Sequence, residues 1–204
     1  MRVFLFAAIF SAVSFGQYKA EPAGPPPSEV APSIGAALQK DGTKITNNGK
    51  PYLEIWFLAS NPPAGKPDEG QTLSVAQGAL LGVIRFDSKG QDRRGQGIQP
   101  GVYTLRYSLI PVNGDHQGVA PQRDFAVLVR ASDDTDPKAT PAFDALVALS
   151  AKASGTPHPA VLSIWGSAAD KFPNFSKQNE HDWVLDLKVG DLPLSIILAG
   201  KVEG

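Results

Sequence analysis

Asp115 and His116 stand side by side within the stretch Gly101 to Gly118. A carboxylate beside an imidazole is the pairing in this chain best suited to proton transfer. Asn113 and Gly114 precede the pair, Gln117 follows, and Gln122, Arg123 and Asp124 lie on the same connection, stiffened by Pro121. Loops held by a rigid sheet often carry function, so Asp115, His116, Arg123 and Asp124 are the candidate ligand-binding residues. The same residues have a plain structural reading. Asn-Gly-Asp is what a tight turn requires, and Arg123 with Asp124 would pin the loop as a surface ion pair. Motifs this short match by chance, and the structural reading outweighs the functional one.

Other chemistries find less support. The three histidines, His116, His158 and His181, show no H-x-H or H-x-x-x-H spacing. If the strands that follow His158 and His181 pair antiparallel, those two residues start at opposite ends of the pair and cannot share an ion. No metal site and no cofactor are expected. There is no G-x-S-x-G; Ile164-Trp165-Gly166-Ser167 puts its serine after the glycine rather than in a strand-to-helix elbow. A glycosidase needs two carboxylates across a cleft, and nothing in the spacing joins Glu54, Asp115, Asp124 and Asp186. Asp133, Asp134 and Asp136 read as a solvated loop, without the glycine and later glutamate of an EF-hand. Asn174-Phe175-Ser176 fits a glycosylation acceptor in a host that modifies secreted asparagines.

The start of the chain reads as an export signal. Met1-Arg2 gives a short positive start, Val3 to Val13 is apolar apart from Ser11, and Ser14-Phe15-Gly16 suits cleavage before Gln17. The apolar run falls short of the ~18 residues a membrane span needs. Residues 1–16 are therefore expected to be a signal peptide, leaving a secreted or periplasmic protein with no integral membrane span. About 188 residues would remain, the size of one domain with a sizeable core. The chain has no cysteine, so core burial alone holds it, and thiolate chemistry is excluded. A net charge of -1 with no basic stripe argues against nucleic acid as a partner.

The elements that would position any site are mostly strands. Residues 17–33 hold Pro22, Pro25, Pro26, Pro27 and Pro32 and are expected to be an exposed leader ahead of a single domain, 34–204. Strands are expected at Ile34–Gln39, Thr43–Ile45, Tyr52–Ala59, Thr72–Ala76, Ala79–Phe86, Tyr103–Leu109, Phe125–Val129, Ala160–Trp165, Trp183–Val189 and Leu192–Ala199. Tyr103, Leu105, Tyr107 and Leu109 mark an apolar face, with Thr104, Arg106 and Ser108 expected on a wet one. Asp186 and Lys188 should likewise face water, and Asp87 to Gln99 should be an exposed loop. One helix is expected, capped by Thr140, with Pro141 in its first turn and Gly155 as its stop. The fold class is mainly β: an antiparallel β-sandwich, or flattened barrel, of about nine or ten strands with one short helix.

The segments Gly49 to Trp56, Gly101 to Leu105 and Asp182 to Leu185 resemble uncharacterised exported bacterial proteins that carry a similar Gly-x-Tyr-x-Leu strand and end in a tryptophan-bearing hairpin. The resemblance implies a β-sandwich and assigns no activity and no site residues. The functional expectation is an exported, soluble, non-catalytic binding or accessory module for a protein, small-molecule or carbohydrate ligand. The alternative is a periplasmic hydrolase using Asp115–His116 with a distant carboxylate.

Overall fold

The computed structural model describes residues 18–66, 68, 70–111 and 122–201. In chain order these form β1 (Tyr18–Pro22), the one-turn helix α1 (Pro32–Gly35), β2 (Thr43–Asn47), β3 (Lys50–Phe57) and β4 (Leu80–Phe86). A small hairpin follows, β5 (Gly90–Gln91) with β6 (Gly97–Ile98), then β7 (Gly101–Leu109) and β8 (Asp124–Arg130). Helix α2 (Phe143–Ser154) leads into β9 (Val161–Gly166), β10 (Asn174–Lys177), β11 (Trp183–Val189) and β12 (Leu192–Ala199).

Ten of these strands make one antiparallel sheet in the order β1-β2-β3-β4-β7-β8-β9-β12-β11-β10. The sheet curls until its ends approach, with the Tyr18 ring 5.6 Å from that of Trp183. The result is an antiparallel barrel, nearly closed, rather than two stacked sheets. Closure is how an antiparallel sheet buries one whole face without a second layer.

Register explains the core. Ile55 lies opposite Ile84, Ile84 opposite Tyr103, Leu105 opposite Leu128 and Leu185 opposite Ile196, so the apolar set of each strand falls on one inward surface. Gly82 sits in the same layer because strand β3 passes too close for a side chain: a Cβ there would lie 2.2 Å from the Trp56 carbonyl oxygen. A bulge adds one more inward residue. Ile45 faces Leu53 while Thr46 faces Pro51, so Tyr52 is the extra residue of β3 and turns inward beside Leu53. Its ring meets Tyr18 at 5.4 Å and Phe86 at 6.0 Å, and Phe86 meets Tyr103 at 6.3 Å.

Burial, with the neighbouring Tyr18, pushes the Tyr52 phenol up to about 12. The unfolded phenol ionises near pH 10, so the stabilisation is fully present below pH 10 and is lost as pH rises towards 12. Unfolding free energy should fall by about 3 kcal/mol across that window. Tyr52→Phe should shrink the fall in denaturant titrations; an unchanged alkaline slope would mean that Tyr52 is not its source.

The outer face is not the wet surface the alternation suggests. Thr104, Arg106 and Ser108 are all buried. Leu146 of α2 covers Val127 and Val129 of β8, and the segment 134–139 folds over β7 and binds Arg106. The proline-rich leader is part of the fold as well. Its first residues form β1 against β2, Ala23, Pro27 and Val30 are buried, and the Trp56 indole N–H donates to the Gly24 carbonyl at 2.8 Å. Proline is tolerated here because β1 is an edge strand.

Other boundaries shift for local reasons. Ile34–Gln39 forms no strand; Pro32 opens α1, and only Leu38 makes a bridge, to Leu58. Thr72–Ala76 is held by one bridge, Val75 to Ala64. Helix α2 begins after Ala142 rather than at Thr140, and Gly155, with φ 69°, closes it as expected. The expected loop 87–99 contains the β5–β6 hairpin, with Asp92 buried. Strand β9 pairs with β8 and β12 rather than with β11. His158 is exposed, and His181 lies beyond the far end of another hairpin.

Candidate functional site

Of the four residues singled out by type, Asp115 and His116 lie outside the described residues. Arg123 and Asp124 do not pair with each other. Successive residues of an extended chain point to opposite sides, and these two do so. Arg123 donates from Nε to the Ile110 carbonyl at 2.9 Å, and its Nη1 sits 3.3 Å from Asp68 Oδ1. Asp124 turns into the barrel, 0% exposed. Its carboxylate accepts from the Thr72 amide and hydroxyl, both at 2.9 Å, from the Leu73 amide at 3.3 Å and from the Tyr107 hydroxyl at 2.7 Å.

This arrangement is a latch. It ties the loop at 71–73 across one end of β7 and β8, and Gln71 completes it by donating to the Tyr107 oxygen at 3.0 Å. Burial raises the Tyr107 phenol far above its ordinary value, and the hydrogen bond and negative charge of Asp124 raise it further. A phenol held as a donor to a carboxylate does not serve as a base near neutral pH. Beside it lies a pocket of about 370 Å³ bordered by Lys66, Asp68, Gln77, Tyr107 and Arg123. Gln77 accepts there from the Ser108 hydroxyl at 3.2 Å, while its own Nε2 has no partner among the described residues.

The remaining carboxylates of interest are also committed to internal donors. Asp186, expected to face water, is buried and accepts from Ser195 at 2.5 Å, Ser167 at 2.8 Å and Asn174 at 2.9 Å. The acceptor-type Asn174 therefore already holds its amide against a carboxylate. Asp134 is no solvated loop residue; it pairs with buried Arg106. Asp182 binds Arg93 and Asn179, and Asp92 binds Arg94. Glu54 pairs with Arg85 across β3 and β4. Among the described residues, no three His, Asp or Glu side chains converge in a way that could hold a metal ion.

The opening that sequence reasoning missed lies where the barrel fails to close. Ala20 of β1 is opposite Ile45, and Phe175 of β10 is opposite Leu185, so both belong to the inward face. Yet neither β1 nor β10 contains a buried residue. Between them runs a groove of about 590 Å³ whose floor is Ile55, Phe57, Leu185 and Leu187. Tyr18 and Phe175 close one end by packing on Trp183, at 5.6 and 5.5 Å. Pro22, Phe172 and Pro173 stand at the other. The signal in the sequence is faint: Asn174–Lys177 is four residues with a single apolar side chain, and the β1 pattern ends in proline.

No protein-family model fits the chain, and neither curated proteins nor solved structures give a match. The site has to be read from its own geometry.

Proposed function

We propose that the chain is an exported, soluble, non-catalytic binding or accessory module, and that its ligand seat is the groove at the barrel seam. The observation carrying this reading is that β1 and β10 turn alternate side chains, Ala20 and Phe175 among them, to the barrel interior without burying them. An apolar floor left open at a cleft of this size is the usual make-up of a ligand site. Export is supported by the basic start and apolar run of residues 1–13 followed by Ser14-Phe15-Gly16. The hydrolase alternative needs a carboxylate to act with Asp115–His116, and Asp124 is already held by four donors.

The test uses Nile red, an uncharged apolar fluorescent probe, with the mature chain under native conditions. Its emission should rise and shift to the blue, and Ala20→Phe, which places a ring in the groove, should reduce the rise at least about 5-fold with an unchanged thermal midpoint. A native chain that leaves the probe dark, or an Ala20→Phe variant that lights it equally, would overturn the groove as the seat.

A further inference from the structure

The geometry points to an extended peptide segment of a partner protein as the occupant of the seam groove, bound by adding a strand to the free edge of β1. This rests on the groove being the ligand seat and names what the seat takes. The walls of the groove are strand edges. Among the described residues, strand β1 pairs only with β2 and β10 only with β11, so each turns one side of its backbone towards the gap. An edge of unpaired amides and carbonyls with an apolar floor below it is the arrangement that captures extended peptides.

The edge can be resolved to particular amides. The Ala23 N–H donates to the Gly42 carbonyl at 2.9 Å, continuing the β1–β2 register. In an antiparallel pair, hydrogen-bonded and non-hydrogen-bonded positions alternate. Lys19 and Glu21 therefore bond towards β2, while Tyr18 and Ala20 turn their N–H groups to the gap, and Pro22 has none.

Direct zipping of β1 to β10 is opposed at the groove's open end. Pro22 and Pro173 stand there on opposite walls and remove donors from both edges. Ten antiparallel neighbours put β1 and β10 in opposite directions. An inserted segment runs antiparallel to one wall and parallel to the other. Antiparallel pairing is the more stable, and β1 offers the longer strand, so the segment runs against β1.

The side chains set the partner's chemistry. Alternate residues of the segment face Ile55, Phe57, Leu185 and Leu187 and are apolar; the others face solvent. The charged groups lining the groove are Glu21, Asp41 and Lys188. Two carboxylates against one ammonium select a segment of net positive charge.

The probe is a fluorescein-labelled peptide, Lys-Lys-Val-Thr-Val-Thr-Val-Thr-Val-Lys. Its control has the same composition with the valines and the threonines each grouped together. Fluorescence anisotropy with the mature chain should show the alternating peptide binding at least about 10-fold more tightly than the control. Ala20→Pro removes the outward N–H while leaving the Lys19 and Glu21 amides that bond to β2, and should weaken that binding at least about 10-fold. Ala20→Gly, which keeps the N–H, should not. Nile red should bind wild type and Ala20→Pro alike, and an unchanged thermal midpoint shows that the variant folds. If that probe binds the groove while the two peptides bind equally, or Ala20→Pro has no effect, strand addition is overturned and the ligand seat stands. If neither probe nor peptide binds, both readings fall. A concentration-dependent dimer in sedimentation that Ala20→Pro abolishes makes a second copy the occupant and overturns the partner peptide.

Discussion

Asp134→Ala should destabilise the fold by about 3–5 kcal/mol, the usual penalty for stranding a buried charge. Arg106 is 1% exposed, and all of its donor groups are engaged. Nε and Nη2 each reach a different Asp134 oxygen at 2.7 Å, Nη2 also reaches the Asp136 carbonyl at 2.7 Å, and Nη1 takes the Gly78 carbonyl at 2.9 Å and the Ala139 carbonyl. Thr104 adds a hydroxyl to Asp134 at 2.5 Å. Without the carboxylate, a guanidinium sits under the 134–139 segment with no counter-charge. Replacing both partners, as Arg106→Met with Asp134→Leu, should recover only part of the loss: the apolar pair carries no desolvation penalty, but it leaves the Gly78 and Ala139 carbonyls without their donor. Urea unfolding of the wild type, the single variant and the double variant is the measurement. A loss below about 1 kcal/mol for Asp134→Ala would show that this pair does not hold the segment in place.

That ion pair also marks where legibility in the sequence ends. The alternation in Tyr103, Leu105 and Tyr107 identifies β7 and its inward face, because period two is a property of the strand itself. The fate of the other face depends on what the chain lays over it thirty residues later, and no local pattern carries that. Arg106 among threonine and serine reads as a solvent-facing residue until the 134–139 segment is seen to end its carbonyls on it. Asp186 misleads in the same way: a carboxylate between two leucines looks outward and wet, but the Ser167, Asn174 and Ser195 that bury it come from separate strands and loops.

The barrel itself was within reach of the sequence, since regular short strands, glycine turns and almost no helix define the class. Its seam was not. Strand β1 lies in a stretch whose five prolines argue for a leader, and the structure uses the one prolyl position an edge strand can accept, Pro22. Strand β10 is too short and polar to stand out. The candidate site is therefore legible only in part. Arg123 and Asp124, singled out by type as ligand-binding candidates, make contacts within the fold, Arg123 to Ile110 and Asp68 and Asp124 to Thr72, Leu73 and Tyr107, while the groove arises from the two elements with the weakest patterns. An incomplete wall is a property of how the sheet ends meet, and each end alone shows only an ordinary edge.

The Asp124 latch yields the second large effect, with a spectroscopic signature attached. Asp124→Ala leaves the Thr72 amide, the Leu73 amide and the Tyr107 hydroxyl without their shared acceptor at a fully buried position. Buried donors left unpaired carry about 1–3 kcal/mol each when no water reaches them. The Tyr107 hydroxyl retains a fallback acceptor in the Leu73 carbonyl at 3.3 Å, so the expected total is about 3 kcal/mol rather than the full sum. The same change removes two of the causes that raise the Tyr107 phenol, the Asp124 hydrogen bond and the Asp124 charge, and leaves burial, the largest. The phenol should therefore ionise at lower pH than in the wild type, yet still above its ordinary value of 10. Absorbance at the phenolate band, taken as the difference from Tyr107→Phe in each background, isolates this one tyrosine. Asp124→Asn should fall between the two, since its amide keeps one acceptor oxygen but no charge. A latch that only fills space would lose stability in Asp124→Ala without moving the Tyr107 titration; a downward shift ranked wild type, Asn, Ala identifies the carboxylate as the group that holds the phenol neutral and ties the 71–73 loop to the barrel.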